Sequence, residues 1–293
     1  MAARFMNLPK HGVCSLMRTS ALARHYASSS GKATPLQFTT LSVDDKTGIA
    51  TLTLNRPPAN ALNTAFMGEI ARSIKELEQS KCRGLILTSS SERIFCAGLD
   101  LKECYQAETS HLQGIWVALQ NLWQTLYSTP LITVALINGH TVAGGGMLAL
   151  SSEYRIMLPN FKIGINETMV GLAVPMWLID TYLNVISNRR IAEWDLTASR
   201  IYNSEGALKA GLVDELATSK ERGLERAVAF ISSYPKHSLV ARAITKRQFR
   251  ENDLKNFEDN RQHDLEIFLS NIQKPNVQSY LGEYLESLKK KAS

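Results

Sequence analysis

Residues 142–150 read VAGGGMLAL. Three consecutive glycines forfeit helix propensity, yet the apolar residues behind them read as the opening turns of a buried helix. Glycines at a helix start let bare backbone N–H groups come close to something negative. The stretch has no acid, base or nucleophile of its own, so chemistry on whatever it holds must come from elsewhere. It follows residues 132–137 (ITVALI), an apolar run of the kind a strand buried on both faces carries, closed by Asn138-Gly139. Strand, glycine turn and helix together are the unit of an α/β fold.

The same grammar recurs upstream. Residues 84–88 (GLILT) read as another buried strand, and Phe95-Cys96-Ala97-Gly98-Leu99-Asp100-Leu101 supplies a second small-residue turn behind it. Two such turns could aim two backbone N–H groups at one point, the geometry of an oxyanion hole. Tight packing of a helix on a strand explains a glycine run equally well. A nucleotide cradle is disfavoured: the run fits neither Gly-x-Gly-x-x-Gly nor Gly-x-x-x-x-Gly-Lys-[Ser/Thr], and no ribose-binding acid follows on schedule.

Downstream, residues 154–158 (YRIML) read as a strand, and Ile163-Gly164-Ile165-Asn166-Glu167-Thr168 brings the candidate acid. Met169, Val170, Leu172, Ala173 and Val174 follow Glu167, so its carboxyl is expected to face an apolar pocket. Burial disfavours the charged form and raises the pKa toward neutrality, which suits proton transfer. The alternative is a surface carboxylate capping the next element. Asn166 either orients a substrate amide or makes a turn. His140 lacks a partner and reads as a polar loop residue. Cys96 lacks a base and reads as a small buried hydrophobe.

The rest of the chain extends the alternation. Residues 49–55 (IATLTLN) alternate like a strand. Asn63 caps a helix whose face is Phe66, Ile70, Ile74 and Leu77. A longer helix carries Leu112, Ile115, Trp116, Leu119, Leu122, Trp123 and Leu126. Ser204 opens a short helix that Gly211 ends, before a strand-like Leu212-Val213-Asp214. From Glu221 onward the chain reads as helical, to Lys289-Lys290-Lys291. The expectation is an α/β core followed by a helical carboxy-terminal region.

Charge is unevenly placed. The first 43 residues hold no Asp or Glu but include Arg4, Lys10, Arg18, Arg24 and Lys32 among many Ala, Ser and Leu. That composition suits a mitochondrial transit peptide, with processing expected near Arg24 to Ala27. Losing Arg4, Lys10, Arg18 and Arg24 takes the net charge from +6 to +2, so the basic balance is no nucleic-acid footprint. Cys82, Cys96 and Cys104 would remain, too few and too irregular for a disulfide framework or a zinc site. No apolar run reaches the roughly 18 residues of a membrane span. Lys246-Arg247-x-x-Arg250 and the terminal lysines are the basic clusters, expected on solvated helix faces or against phosphates.

Taken together, the 95–101 turn, Ile137-Asn138-Gly139 with Ala143-Gly144-Gly145-Gly146, Ile163-Gly164-x-x-Glu167 and Ala207-Leu208-x-x-Gly211-Leu212-Val213-Asp214 resemble the crotonase (enoyl-CoA hydratase/isomerase) superfamily. The resemblance runs from about Gly48 to the carboxy terminus. Gly98 to Leu101, Asn166 to Thr168 and Val174-Pro175-Met176-Trp177 look most like its mitochondrial Δ3,Δ2-enoyl-CoA isomerase branch. The resemblance implies a spiral of ββα repeats over residues 36–225, after a transit peptide over 1–35. A helical region over 226–293 would cover the site and assemble a homotrimer in the mitochondrial matrix. It further implies an oxyanion hole from the N–H groups of Leu99 and Gly145, and an acyl-CoA site formed by Ala97, Gly98, Leu99, Asp100, Leu101, Gly144 and Asn166. Glu167 would be the catalytic residue; no cofactor or metal is implied, since coenzyme A belongs to the substrate. Hydratases of the family carry a further glutamate where this chain has Leu148. A double-bond isomerase is therefore expected ahead of a hydratase, a thioester hydrolase, or a non-catalytic RNA-binding or scaffolding member.

Overall fold

A computed structural model describes residues 35–292. The transit-peptide reading lies outside the described residues, as do the side chains of Lys289 and Lys291. The chain opens with β1 (Thr39–Asp44), β2 (Ile49–Leu54) and α1 (Thr64–Glu78), the last capped by Asn63, whose side chain accepts the Phe66 N–H at 2.9 Å. Three strand–strand–helix units follow. They are β3 (Gly84–Ser89), β4 (Ile94–Cys96) and α2 (Thr109–Ser128); β5 (Ile132–Ile137), β6 (His140–Val142) and α3 (Gly144–Ser151); and β7 (Tyr154–Met157), β8 (Lys162–Gly164) and, after a 3₁₀ turn at Glu167–Val170, α4 (Met176–Leu183). Then come α5 (Arg189–Thr197), β9 (Tyr202–Asn203), α6 (Ser204–Ala210), β10 (Glu215–Leu216), α7 (Lys220–Ser233), α8 (Leu239–Ile272) and α9 (Pro275–Ala292).

In every unit the first strand joins one sheet and the second joins another. The larger sheet has the order β1-β2-β3-β5-β7-β10, and the smaller β4-β6-β8-β9. Both are mixed, with parallel interiors and one antiparallel edge pair each, β1 on β2 and β9 on β8. This stepping from sheet to sheet is the expected ββα spiral. β3 and β5 are buried at every residue, which explains their unbroken apolar sequences. One sheet face packs Ile86, Val134, Leu136 and Ile156 with Ala227 and Ile231 of α7, and the other packs under α1, α2 and α3.

The sequence reading placed a strand at Leu212-Val213-Asp214. The structure places it just beyond, at Glu215–Leu216. Leu212 and Val213 are buried as a connection instead, and Asp214 docks side-on. Its carboxylate takes the Arg155 N–H at 2.8 Å and the Arg155 guanidinium at 2.7 Å, its own N–H donates to Arg155 O at 3.0 Å, and the parallel register with β7 runs from Glu215. The chain from Lys220 onward is almost wholly helical.

Candidate active site

β4, β6 and β8 are parallel neighbours in the smaller sheet. Their following loops must therefore leave the same edge, one strand spacing (~4.8 Å) apart. Sequence blocks separated by dozens of residues meet for this reason: Ala97 to Leu101 after β4, Ala143 and the start of α3 after β6, and Asn166-Glu167 after β8.

The first two loops touch. Gly98 holds φ +84°, and a Cβ there would lie 2.7 Å from Ala143 Cβ and 2.9 Å from Gly144 N. Gly145 is pressed on the carbonyl of Cys96, where a Cβ would sit 2.2 Å from the oxygen. The glycine run thus serves close approach of backbones. Leu62 N–H donates to Gly98 O at 2.7 Å, and Asp100 N–H to Leu62 O at 3.0 Å. Those bonds use the groups flanking Leu99 and turn its own N–H to the opposite side of the strand. Gly145 lies in the first turn of α3, where N–H groups have no partner within the helix. Ala143 is a non-glycine at φ +51°, a strain of order 1–3 kcal/mol held at the junction.

Glu167 starts the 3₁₀ turn, which Gly171 closes at φ +78°. The Thr168 hydroxyl anchors the turn to the end of α5, donating to Leu196 O at 3.2 Å and meeting the Ser199 hydroxyl. As a residue Glu167 is half-buried, but its Oε2 is shut away from solvent without a hydrogen-bond donor, and so is Asn166 Oδ1. Burial pushes the Glu167 carboxyl up from 4.5 to about 7, against a weaker downward pull from the N–H groups of Glu167 and Asn166. Buried polar atoms without partners are rare in folded proteins, and two side by side in a cavity mark a candidate site.

That cavity, about 70 Å³, is walled by Ala97, Leu99, Leu101, Gly144, Asn166 and Glu167 of the expected set. Gly98, Asp100 and Gly145 are not on its wall. Gly98 lies behind as the loop contact, and the Asp100 side chain is held by Arg56 at 2.8 Å. The remaining wall is mostly apolar and includes Trp116, Met147, Leu172, Trp177 and Tyr284. Among the described residues lining it, Glu167 is the single carboxylate. Leu148 is fully buried in the core. A larger groove of about 480 Å³ lies alongside and shares Trp116, Leu172, Ala173, Pro175 and Trp177 with the cavity, but Glu167 does not line it.

The other candidates separate cleanly. The Cys96 thiol donates to Asn60 O at 3.1 Å and is pushed up to about 12 by burial, which rules out a thiolate nucleophile. His140 opens β6 and is not in the loop expected of it; its Nδ1 accepts the Lys162 N–H at 3.1 Å. Lys246 and Arg250 differ from expectation. Neither is on a solvated face: Lys246 reaches Leu131 O and Glu153, and Arg250 reaches Tyr127 O and Ser151 O. Sequence reasoning placed Trp116 on a helix face by its apolar periodicity and Trp177 in the Val174-Pro175-Met176-Trp177 stretch that carries the family resemblance. It overlooked Tyr284 as wall, which nothing local marked.

Comparison with known proteins agrees with this geometry. A family model described as enoyl-CoA hydratase/isomerase matches residues 44–292. The mitochondrial enoyl-CoA delta isomerase 1 of Rattus norvegicus is 39% identical over 256 residues, spanning 85% of this chain and 86% of the relative. The crystal structure of human mitochondrial delta3-delta2-enoyl-CoA isomerase superposes with a TM-score of 0.84 at 35% identity, covering 88% of this chain and all of that one. An ethylmalonyl-CoA decarboxylase of Xenopus laevis is 32% identical over 240 residues, 79% of each chain.

Proposed function

The chain belongs to the enoyl-CoA hydratase/isomerase (crotonase) family, and from that premise we propose that it moves the double bond of a 3-enoyl-CoA to give trans-2-enoyl-CoA, in the oxidation of unsaturated fatty acids. One observation carries the reading: a single carboxylate among the described residues, sequestered and with its Oε2 lacking a hydrogen-bond donor, in a cavity whose other walls are mostly apolar. Adding water across a double bond requires a water held and activated. One acid among apolar groups positions water poorly, but it can carry a proton between two carbons of a bound chain.

In the proposed reaction the Glu167 carboxylate removes a proton from C2 of the substrate. The C–H electron pair becomes a dienolate spread over the thioester oxygen and C2 to C4. The N–H groups of Leu99 and Gly145 hold that oxygen, aided by the positive end of α3. The carboxyl, now protonated, delivers the proton to C4 and returns to its starting state, leaving the double bond between C2 and C3. The family reaction calls for no cofactor beyond the coenzyme A of the substrate. A carboxyl titrating near neutrality suits this two-way task, since it is about equally ready to take and to give a proton.

The decarboxylase relative is a reason to test the reaction class directly. Purified protein is incubated separately with a 3-enoyl-CoA and a 2-enoyl-CoA, following bond migration and water addition. Migration without hydration supports the reading; hydration of the 2-enoyl ester with no migration overturns it.

We further propose a matrix location with residues 1–35 as transit peptide, supported by the acid-free amino terminus and by the mitochondrial rat relative. A division into core (36–225) and helical region (226–293) is proposed with it, as is a homotrimer. Val240, Ile244 and Phe249 stand exposed along α8, apolar surface of the kind that association covers.

A further inference from the structure

Asp264 lies on α8, the long helix that packs against both α2 and α4. A single oxygen of its carboxylate, Oδ2, accepts three N–H groups: Trp116 Nε1 at 2.8 Å, Gln120 Nε2 at 2.7 Å and Trp177 Nε1 at 3.0 Å. Trp116 and Gln120 come from α2, and Trp177 from α4. One turn further along α8, Phe268 stacks on Trp116 with centroids 4.0 Å apart and planes 7° from parallel. α8 thus meets that indole with a ring against its face and an acceptor at its edge.

The two indoles occupy a particular place. Both line the small cavity with Glu167, and both line the larger groove beside it, so they form part of the partition between the two. Asp264 lines the groove and not the cavity. A buried indole N–H needs an acceptor, and two indoles turned toward one point need an acceptor able to serve both. An ionised carboxylate does this better than a neutral group, because charge-assisted bonds are the stronger ones. Deprived of it, each ring can satisfy its N–H only by turning toward water in the groove.

The geometry points to Asp264 as a positioning residue of the active site: it clamps Trp116 and Trp177 edge-on, and so keeps the partition closed and water away from Glu167. The inference rests on the reading of Glu167 as the proton shuttle. Asp264 does not line the cavity and acts on it through the indoles it holds. The titratable and charged groups facing the assembly are Tyr284 of α9 in the cavity, His263 of α8 in the groove, and Arg261 of α8, which reaches Gln120 Oε1 at 3.3 Å.

The test needs no substrate. The Glu167 carboxyl is titrated by NMR in protein carrying ¹³C-labelled glutamate, its signal assigned by its loss in Glu167→Gln. Wild type is expected to titrate near 7. In Asp264→Leu the midpoint is expected to fall by at least one unit, about a tenfold gain in acidity, as water enters. Asp264→Asn keeps a carbonyl acceptor and loses the charge, and is expected to hold most of the wild-type value. Should Asp264→Leu fail to fold, Trp116→Phe combined with Trp177→Phe removes the indole donors and is expected to give the same fall. An unchanged midpoint in the folded variants overturns the clamp. So does an equal fall in Asp264→Asn and Asp264→Leu, which would mark a charge effect. A wild-type carboxyl titrating as an ordinary glutamate would instead overturn the reading of Glu167 itself.

Discussion

Glu153 and Glu167 are both carried into the protein beside strands of its parallel interior, one just before β7 and the other just after β8, and their surroundings are opposites. Around Glu153, helices α2 and α3 end, and their last carbonyls project unpaired negative charge. Arg250 takes Tyr127 O at 2.6 Å, Arg155 takes Ser152 O at 2.7 Å, Arg242 takes Pro130 O and Lys246 takes Leu131 O, each at 2.9 Å. Glu153 is the counter-ion to two of these cations, Arg242 and Lys246. Burial alone would raise its pKa, but Lys246 and Arg242 outweigh it and hold the carboxyl below the usual range. At the other end of the strands a helix begins, and among the described residues no cation lines the cavity. Glu167 meets apolar walls and is raised to about 7. One buried acid is committed to structure, and the other is left free to exchange a proton.

The same substitution at the two sites sharpens that contrast. Glu167→Gln should cut 3-enoyl-CoA isomerisation by roughly a hundred- to ten-thousand-fold, the usual worth of a positioned acid–base group, with acyl-CoA affinity by calorimetry little changed. Near-normal turnover in this variant would remove the distinction between the two acids. Glu153→Gln should leave the chemistry largely intact and act on stability, since it strands Arg242 and Lys246 in a buried setting. Denaturant unfolding at neutral pH should show a loss of about 3–5 kcal/mol.

A smaller effect has the opposite sign. A carboxyl whose folded pKa lies above its unfolded value stabilises the fold fully below the unfolded value, and that contribution is lost as pH rises through the folded one. For Glu167 the window runs from 4.5 to about 7. Above it the folded protein holds a strained, buried charge that glutamine lacks. Glu167→Gln should therefore be more stable than wild type at pH 8, by up to roughly 3 kcal/mol at 1.36 kcal/mol per unit, and no more stable at pH 4. Parallel thermal melts at the two pH values check this. Glu153 follows the reverse rule: its contribution is present above the unfolded pKa and fades as pH falls through the folded one.

How much of this was legible in the sequence follows from distance along the chain. The buried strands, the Asn63 cap and the three loops were readable because their signals are local: apolar runs, a capping residue, glycines. The resemblance to a family joined the loops, and the adjacency of β4, β6 and β8 supplies the physical reason they meet. The fate of Lys246 and Arg250 was not readable, because the carbonyls they serve lie about a hundred residues away. Periodicity reports that a helix face is buried and not which helix ends beneath it. The Trp116–Asp264 pair, 148 residues apart, is hidden for the same reason. Leu212 and Val213 misled because burial makes connecting chain as apolar as a strand, and the pairing with β7 that fixes the strand lies about sixty residues away in sequence.

The most direct test of a sequestered carboxylate acting as the proton carrier is the pH dependence of kcat/KM for 3-enoyl-CoA isomerisation, which reports the free enzyme's essential base. Activity should rise with pH through a midpoint near 7 and then level off, as Glu167 ionises. A midpoint near 4.5, the ordinary glutamate value, would contradict the account.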